Sequence, residues 1–364
     1  MQSRKAKVKM VPLADVAVIE RVGVDAVEME GNSYVSLEDL DSVTGEVRLV
    51  ARAASKSAKF RFGPEHVLYG KLRPYLQKVA RPLVCGFCST DILPIRPNNE
   101  LDRDYLFHFL RTPEFTAKAS QAAVGINLPR LSPSVLSTFH IPLPPLSEQR
   151  RIAAILDKAD ELRAKRRAAL KKLDELTQSI FLDMFGRPKE NPKMWPMVSL
   201  MEICFPKQWP TISTSEFTDI GFAVFGANGL IGYYNAYNHE KPTVLITCRG
   251  ATCGTINVSP PKCYVTGNAM ALDNIDEERI TNEYLAAVLR ERGMRDAISG
   301  TAQPQITRQS LAHVMLPLPP LSLQKDFTSR IEQIQQMKSH QHKSLEALDA
   351  LFSSLQYRAF RGEL

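Results

Sequence analysis

Along two stretches of the chain the apolar residues recur in alternating steps of three and four. In the first, Ile152, Ile155, Ala159, Leu162, Ala169, Leu173, Leu176 and Ile180 form a heptad seam. The pattern predicts a helix from Ser147 to Phe185, ~58 Å long at ~1.5 Å per residue, with Gly186 and Pro188 to stop it. An offset of 175 residues maps a second stripe onto the first, with Phe327, Ile334, Met337, Leu348, Leu351 and Leu355 at the positions of Ile152, Ala159, Leu162, Leu173, Leu176 and Ile180. Both seams falter at one equivalent inward position, Arg166 in one copy and Gln341 in the other, where a polar residue costs stability and fixes register. The two helices are expected to pair, running antiparallel if an internal two-fold relates the domains. The competing arrangement, each helix packed only on its own domain, has to explain a stripe longer than the face such a domain offers.

The same punctuation precedes each helix. Ile141-Pro-Leu-Pro-Pro-Leu-Ser-Glu-Gln149 returns as Leu316-Pro-Leu-Pro-Pro-Leu-Ser-Leu-Gln324, and a proline run followed by Ser before a periodic stretch reads as a domain ending and a helix being capped. The expected order is a globular domain at 1–146, a helix at 147–186, a second domain at 187–321 and a second helix at 322–364. The domains repeat more faintly. Val11-Pro-Leu-Ala-Asp-Val16 resembles Val198-Ser-Leu-Met-Glu-Ile203, and Val67–Gly70 and Val244–Thr247 read as strands running into basic turns. Tyr105–Leu110 and Tyr284–Leu289 read as matching short helices. The fold class is α+β: two similar domains separated by two long antiparallel helices forming a coiled coil.

Composition adds a bias rather than an answer. The 364 residues carry a formal charge of +7 with 44% hydrophobic content, which suits two ordinary cores and a surface biased toward polyanions. Arg163, Lys165, Arg166, Arg167, Lys171 and Lys172 crowd the middle of the first helix, either as a solvated face or as a strip for a partner or phosphate. Of six cysteines, only Cys85 and Cys88 make a C-x2-C pair, and no second pair or spaced His completes a zinc site; free thiols are expected. The first ten residues lack the apolar core of a signal peptide and no apolar run approaches 18 residues, so the expectation is a cytoplasmic chain without a membrane anchor.

No catalytic constellation emerges. There is neither an Asp/Asn-Pro-Pro-Tyr/Phe loop of an amino-methyltransferase nor a G-x-G-x-x-G after a strand. Gly226-Ala-Asn-Gly-Leu-Ile-Gly232 fits a tight turn better than a phosphate cradle, and Gly63–Lys71 has six residues between its glycines where a P-loop has four. The seven histidines are scattered without partners at ligand spacing. No cofactor, no metal and no enzymatic activity of the chain's own are expected.

At this point the sequence resembles the specificity subunits of type I restriction-modification systems. The resemblance is carried by Ile141–Gln149 with Arg151–Asp157 after it, by Leu316–Gln324, by Phe225–Tyr233 and by Val244–Asn257, and covers essentially the whole chain. It implies that each globular part is a target recognition domain reading one half of a bipartite site in double-stranded DNA. The paired helices would then set the spacing and dock modification subunits, and methylation and ATP-driven cleavage would belong to partner modification (methyltransferase) and restriction (motor-nuclease) chains. The second copy departs from the Glu-Gln-Arg-Arg-Ile pattern at Leu323, Lys325 and Asp326, which puts docking through that helix in doubt. Basic and amide side chains in loops suit phosphate positioning and base reading, so the candidates for DNA contact are Lys71, Arg73, Lys78 and Arg130 in the first domain and Arg249, Asn268, Gln303, Gln305 and Arg308 in the second. Two rivals stay open: a coiled-coil scaffold joining two protein-binding modules, and a self-sufficient nuclease or methyltransferase.

Overall fold

The computed structural model describes residues 8–24, 33–51, 59–226, 229–300 and 303–364. Two compact units divide the chain, one made of Met1–Ala168 with His342–Leu364 and the other of Ala169–Gln341. The boundary does not follow the starts of the helices. Each long helix, Leu146–Phe185 and Leu321–Ala359, contributes one part to each unit.

In the first unit a four-stranded antiparallel sheet has the order Ala17–Ile19, Ile92–Pro97, Val67–Gly70, Val79–Ala80. All four residues of Val67–Gly70 are buried, as expected of an unbroken apolar strand covered on both faces. A second sheet contains Lys59–Phe62, Gly86–Ser89 and Ser33–Val35, the last two running parallel. Met10–Pro12 pairs with His140–Pro142 and closes the unit beside the long helix.

The second unit repeats the plan. Its sheet runs Phe205–Gln208, Ala269–Asp273, Val244–Thr247, Ile256–Val258, with every residue of Val244–Thr247 buried. A hairpin of Phe222–Gly226 and Gly229–Tyr234 carries a parallel partner, Tyr264–Val265, and Met197–Ser199 pairs with Met315–Pro317. Ala227 and Asn228 of the glycine-rich motif lie outside the described residues.

The repeated proline motif owes its form to a buried glutamine. Gln149 accepts from the Asp102 amide at 2.8 Å and donates to the carbonyls of Glu100 and Pro144 at 2.9 and 2.8 Å. In the other unit Gln324 accepts from the Thr281 amide at 2.9 Å and donates to Arg279 and Pro319, both at 2.9 Å. Each amide ties the proline turn to the start of a short helix, Arg103–Leu110 or Asn282–Arg292. Tyrosine hydroxyls complete the joint, Tyr105 donating to the Pro142 carbonyl at 2.9 Å and Tyr284 to Pro317 at 2.8 Å. Ser147 and Ser322 are not the caps their position suggests. The carbonyls of Pro145 and Pro320 take the first helical amides, because each helix starts one residue earlier, at Leu146 and Leu321.

Within each unit the two helical segments run antiparallel. In the first, Arg163 and Arg167 meet Asp349, Arg163 lies over the Phe352 ring at 4.3 Å, and Arg151 donates to the Leu364 carbonyl. In the second, Lys338 pairs with Asp174 at 2.7 Å, and Phe327 packs edge-on against Phe181 and Phe185 at 5.7 and 5.4 Å.

Of the expected seam residues, Ile152, Phe327 and Ile334 are buried in the cores of their units. Ile155, Leu173, Ile180, Leu348 and Leu355 are half-buried. Leu162, Leu176, Met337 and Leu351 differ from the expectation, being 40–51% exposed. Toward the ends of the helices a globular core forms a third layer over the pair. In the middle there is none, and charged side chains share the contact line. Arg166 and Gln341 are half-buried. The basic run is largely paired: Lys165 meets Glu161, Lys171 meets Glu175, and Arg163 reaches Asp160 as well as Asp349. Among the described residues no helix is long and apolar enough to cross a membrane.

Candidate nucleic-acid interface

Beyond the buried strand Val67–Gly70 the chain enters Lys71-Leu72-Arg73, and a distant loop returns to meet it. Leu72 bridges Arg130, Arg130 bridges Val124, the Arg73 amide donates to the Pro129 carbonyl at 2.7 Å, and the Leu131 amide to Lys71 at 2.9 Å. In the second unit the strand Val244–Thr247 leads into the same crossing. Arg249 bridges Gln305, Gln305 bridges Ser299, the Gly250 amide donates to the Pro304 carbonyl at 3.3 Å, and the Ile306 amide to Cys248 at 2.9 Å. Leu72 thus matches Arg249, and Arg130 matches Gln305. Arg73 and Gly250 occupy one position, with φ of +52° and +85°, so this turn holds a left-handed residue in both copies.

These crossings gather most of the residues singled out from the sequence. In the first unit Lys71 and Arg130 flank Asp91, at 3.9 and 3.1 Å, and the hydrogen bond to Asp91 pushes the Arg130 pKa further up. The Arg73 guanidinium donates to the Asn127 carbonyl at 3.3 Å, while its Nε is buried without a hydrogen-bond partner among the described residues. Lys78 turns elsewhere. Its Nζ donates to the Leu40 carbonyl at 2.6 Å, so the amine is engaged inside its own unit. Tyr75, next to Arg73 in sequence, is exposed.

In the second unit Arg249, Asn268, Gln303 and Gln305 are all exposed. The Asn268 carbonyl accepts from the Cys248 amide at 3.4 Å, which places Asn268 beside the crossing. Arg308 follows two residues after Ile306 and stacks its guanidinium on the Phe205 ring at 3.7 Å. Arg130, Arg249 and Gln305 were in view from the sequence, but their correspondence was missed. The signal was Gly125 and Pro129 recurring as Gly300 and Pro304 at the spacing of the proline motif, 175 residues.

Chemically, the crossings offer cations and amides on rigid backbone and no activated nucleophile. Burial pushes the Cys248 and Cys253 thiols at the second crossing above their ordinary value, which disfavours a thiolate near neutrality. The arrangement suits recognition of an anionic ligand carrying hydrogen-bonding edges.

The model of the type I restriction modification DNA specificity domain matches residues 76–172 and 192–349, well over half of the chain. The chain belongs to that family. Among its relatives, the specificity subunit of the type I restriction enzyme EcoDI from Escherichia coli is 38% identical over 159 residues, covering 42% of this chain and 35% of the relative. The MjaVIII specificity subunit from Methanocaldococcus jannaschii is 23% identical over 310 residues, covering 72% of this chain and 71% of the relative. The type I restriction-modification S subunit of M. genitalium superposes with a TM-score of 0.64 at 17% identity, covering 99% of this chain and 98% of that one. A chain from a structure of the assembly and conformational transition of the type I R-M system superposes at 0.57 with 24% identity, covering 98% of each. These two likenesses concern the fold. The two matched segments agree with two units built on one plan.

Proposed function

We propose that the chain is the sequence-reading, non-catalytic member of a type I restriction-modification complex, and that each unit reads one half of a bipartite duplex target through its backbone crossing. One observation carries this reading: the same crossing recurs with different side chains, Lys71, Arg73 and Arg130 in one unit against Arg249, Gln303, Gln305 and Arg308 in the other. Equal frames with unequal tips are what two independent readers of unlike half-sites require. Arginine suits guanine and phosphate, and glutamine and asparagine suit adenine, with Asn268 placed to add to the second set. Lys78 contributes indirectly, by holding the backbone on which Gly70 and Lys71 stand.

Both long helices continue unbroken from one unit into the other, which supports their role in fixing the distance between half-sites. Their exposed faces are the surface on which modification subunits would dock, with restriction subunits joining through them; methyl transfer and DNA cleavage belong to those partners. The test is selection of bound duplexes from a random library by the full chain, followed by exchange of residues 187–315 for those of a relative. A change confined to one half of the selected sequence is expected, and loss of both halves would refute independent readers. A four-residue helical insertion near Ala168 should alter the distance between the halves and leave the bases of each unchanged.

A further inference from the structure

The crossing of the first unit ends in an apolar tip. Ile126 is 100% exposed, Val124 81% and Leu128 45%. The loop that carries them is fixed: Val124 and Arg130 exchange both backbone hydrogen bonds, at 3.0 and 2.9 Å, and Arg73 holds the Asn127 carbonyl. Gly125, at φ +119°, sits where a Cβ would come within 3.0 Å of the Leu128 carbonyl oxygen. A single exposed apolar side chain needs no explanation, but three on one pinned loop among Lys71, Arg73 and Arg130, with Asp91 as the balancing anion, form a surface for an apolar group next to negative charge. The methyl group of thymine, lining a groove between phosphates, is such a group.

We infer that Ile126 and Asn127 read an A·T pair in the major groove, Ile126 packing on the thymine methyl and the exposed Asn127 amide pairing with adenine, while Arg73 and Arg130 steady the neighbouring phosphates. The inference rests on the reading of the crossings as DNA-recognition elements and adds a base identity to it. At the 175-residue offset Ile126 and Asn127 correspond to Thr301 and Ala302, which lie outside the described residues, and Leu128 corresponds to Gln303, so the contact is inferred for the first unit alone.

The experiment uses the full chain and the duplex it selects from a random library, with each thymine of that duplex replaced in turn by deoxyuridine, which removes only the methyl. One thymine in one half-site should matter, its replacement weakening binding about four-fold, which is the ~0.8 kcal/mol of a buried methyl at ~1.4 kcal/mol per decade. Ile126→Ala should bind the thymine duplex about four-fold more weakly and be indifferent to that replacement. Asn127→Ala should relax the preference for adenine at the same pair. A wild-type chain insensitive to every replacement in that half-site would overturn the inference, as would an Ile126→Ala chain that keeps the wild-type ratio. A fall in the melting temperature of Ile126→Ala, or weaker capture of modification subunits with base preference intact, would overturn it too, by assigning Ile126 to the fold or to a protein partner. Failure of the underlying reading looks different: the chain would select no bipartite sequence.

Discussion

The two units share a frame and an aromatic joint between helical segments, yet the first adds an ionic fastening. In the second, Phe181, Phe185, Phe327 and Tyr284 form an aromatic cluster, with Phe185 and Tyr284 at 4.7 Å. In the first, Phe360 takes the place of Phe185 and meets Tyr105 and Phe109 at 5.0 and 5.4 Å, and an ionic joint is added along the helix. Asp157 of the long helix receives His108 at 2.8 Å and Arg81 at 2.8 and 3.1 Å, and Asp160 receives Arg111 at 3.0 Å. Ala287 and Glu332 stand where the first unit has His108 and Asp157, so the ionic joint has no counterpart there. A duplicated fold therefore constrains where the chain turns and where its buried amides sit, while the chemistry that fills the space between segments is free to diverge.

The largest effect should come from the aromatic joint. Phe327→Ala is expected to cost about 3–5 kcal/mol of unfolding free energy, read by chemical denaturation, since a fully buried ring is removed from a rigid cluster. A cost below about 1 kcal/mol would show that the cluster collapses around the gap. Next come the shared glutamines. Gln149→Leu and Gln324→Leu each leave an amide and two carbonyls unpaired, so each should destabilise by about 2–3 kcal/mol, and by similar amounts if the units are true copies.

Acid should separate the units more gently. Burial holds the His108 pKa below its ordinary value against the pull of Asp157, and although burial pushes Asp157 up, its hydrogen bonds from His108 and Arg81 bring it down to about 2. His108 is therefore neutral in the folded chain at pH values where an unfolded histidine, near 6.5, begins to take a proton. Its contribution is complete above about pH 6.5 and shrinks as the pH falls toward the folded value, at up to about 1.4 kcal/mol per pH unit. Asp157 remains ionised throughout this window. Unfolding followed from pH 8 to pH 5 should lose part of this slope in His108→Phe, and an unchanged slope would place the titration elsewhere. The smallest effect concerns the interface. Arg130→Gln should weaken duplex binding evenly across sequences and reduce the salt dependence by about one counterion, and Arg249→Gln should do the same unless it reads a base.

Much of this organisation was legible in the chain. The runs Val67–Gly70 and Val244–Thr247 announced buried strands because all four side chains of each are apolar or small, and Tyr105 and Tyr284 marked helices whose hydroxyls reach the proline turns. The starts of both helices, to within one residue, and the end of the first at Phe185 followed from period and punctuation, whereas the second helix, expected to run to 364, stops at Ala359. What periodicity could not show was depth: Leu162 and Met337 occupy inward positions with no third layer above them, and a heptad pattern reports direction rather than cover. The engagement of Lys78 was hidden for a related reason, since a lysine in a basic turn looks alike in sequence whether its amine meets solvent or the Leu40 carbonyl. Ile126 escaped notice because one isoleucine in a loop has no period at all, and the Val124–Arg130 bridge that displays it is itself anchored on Leu72, from a distant part of the chain.

The division of the long helices has a consequence for how the protein is made. The second unit is a continuous segment, Ala169–Gln341, but the first needs His342–Leu364 to complete its core, where Phe352 and Ala359 are buried. During translation the strands before Ala169 cannot complete their core until His342–Leu364 has followed the inserted segment. The inserted segment thus has all its residues in hand before the unit that flanks it does.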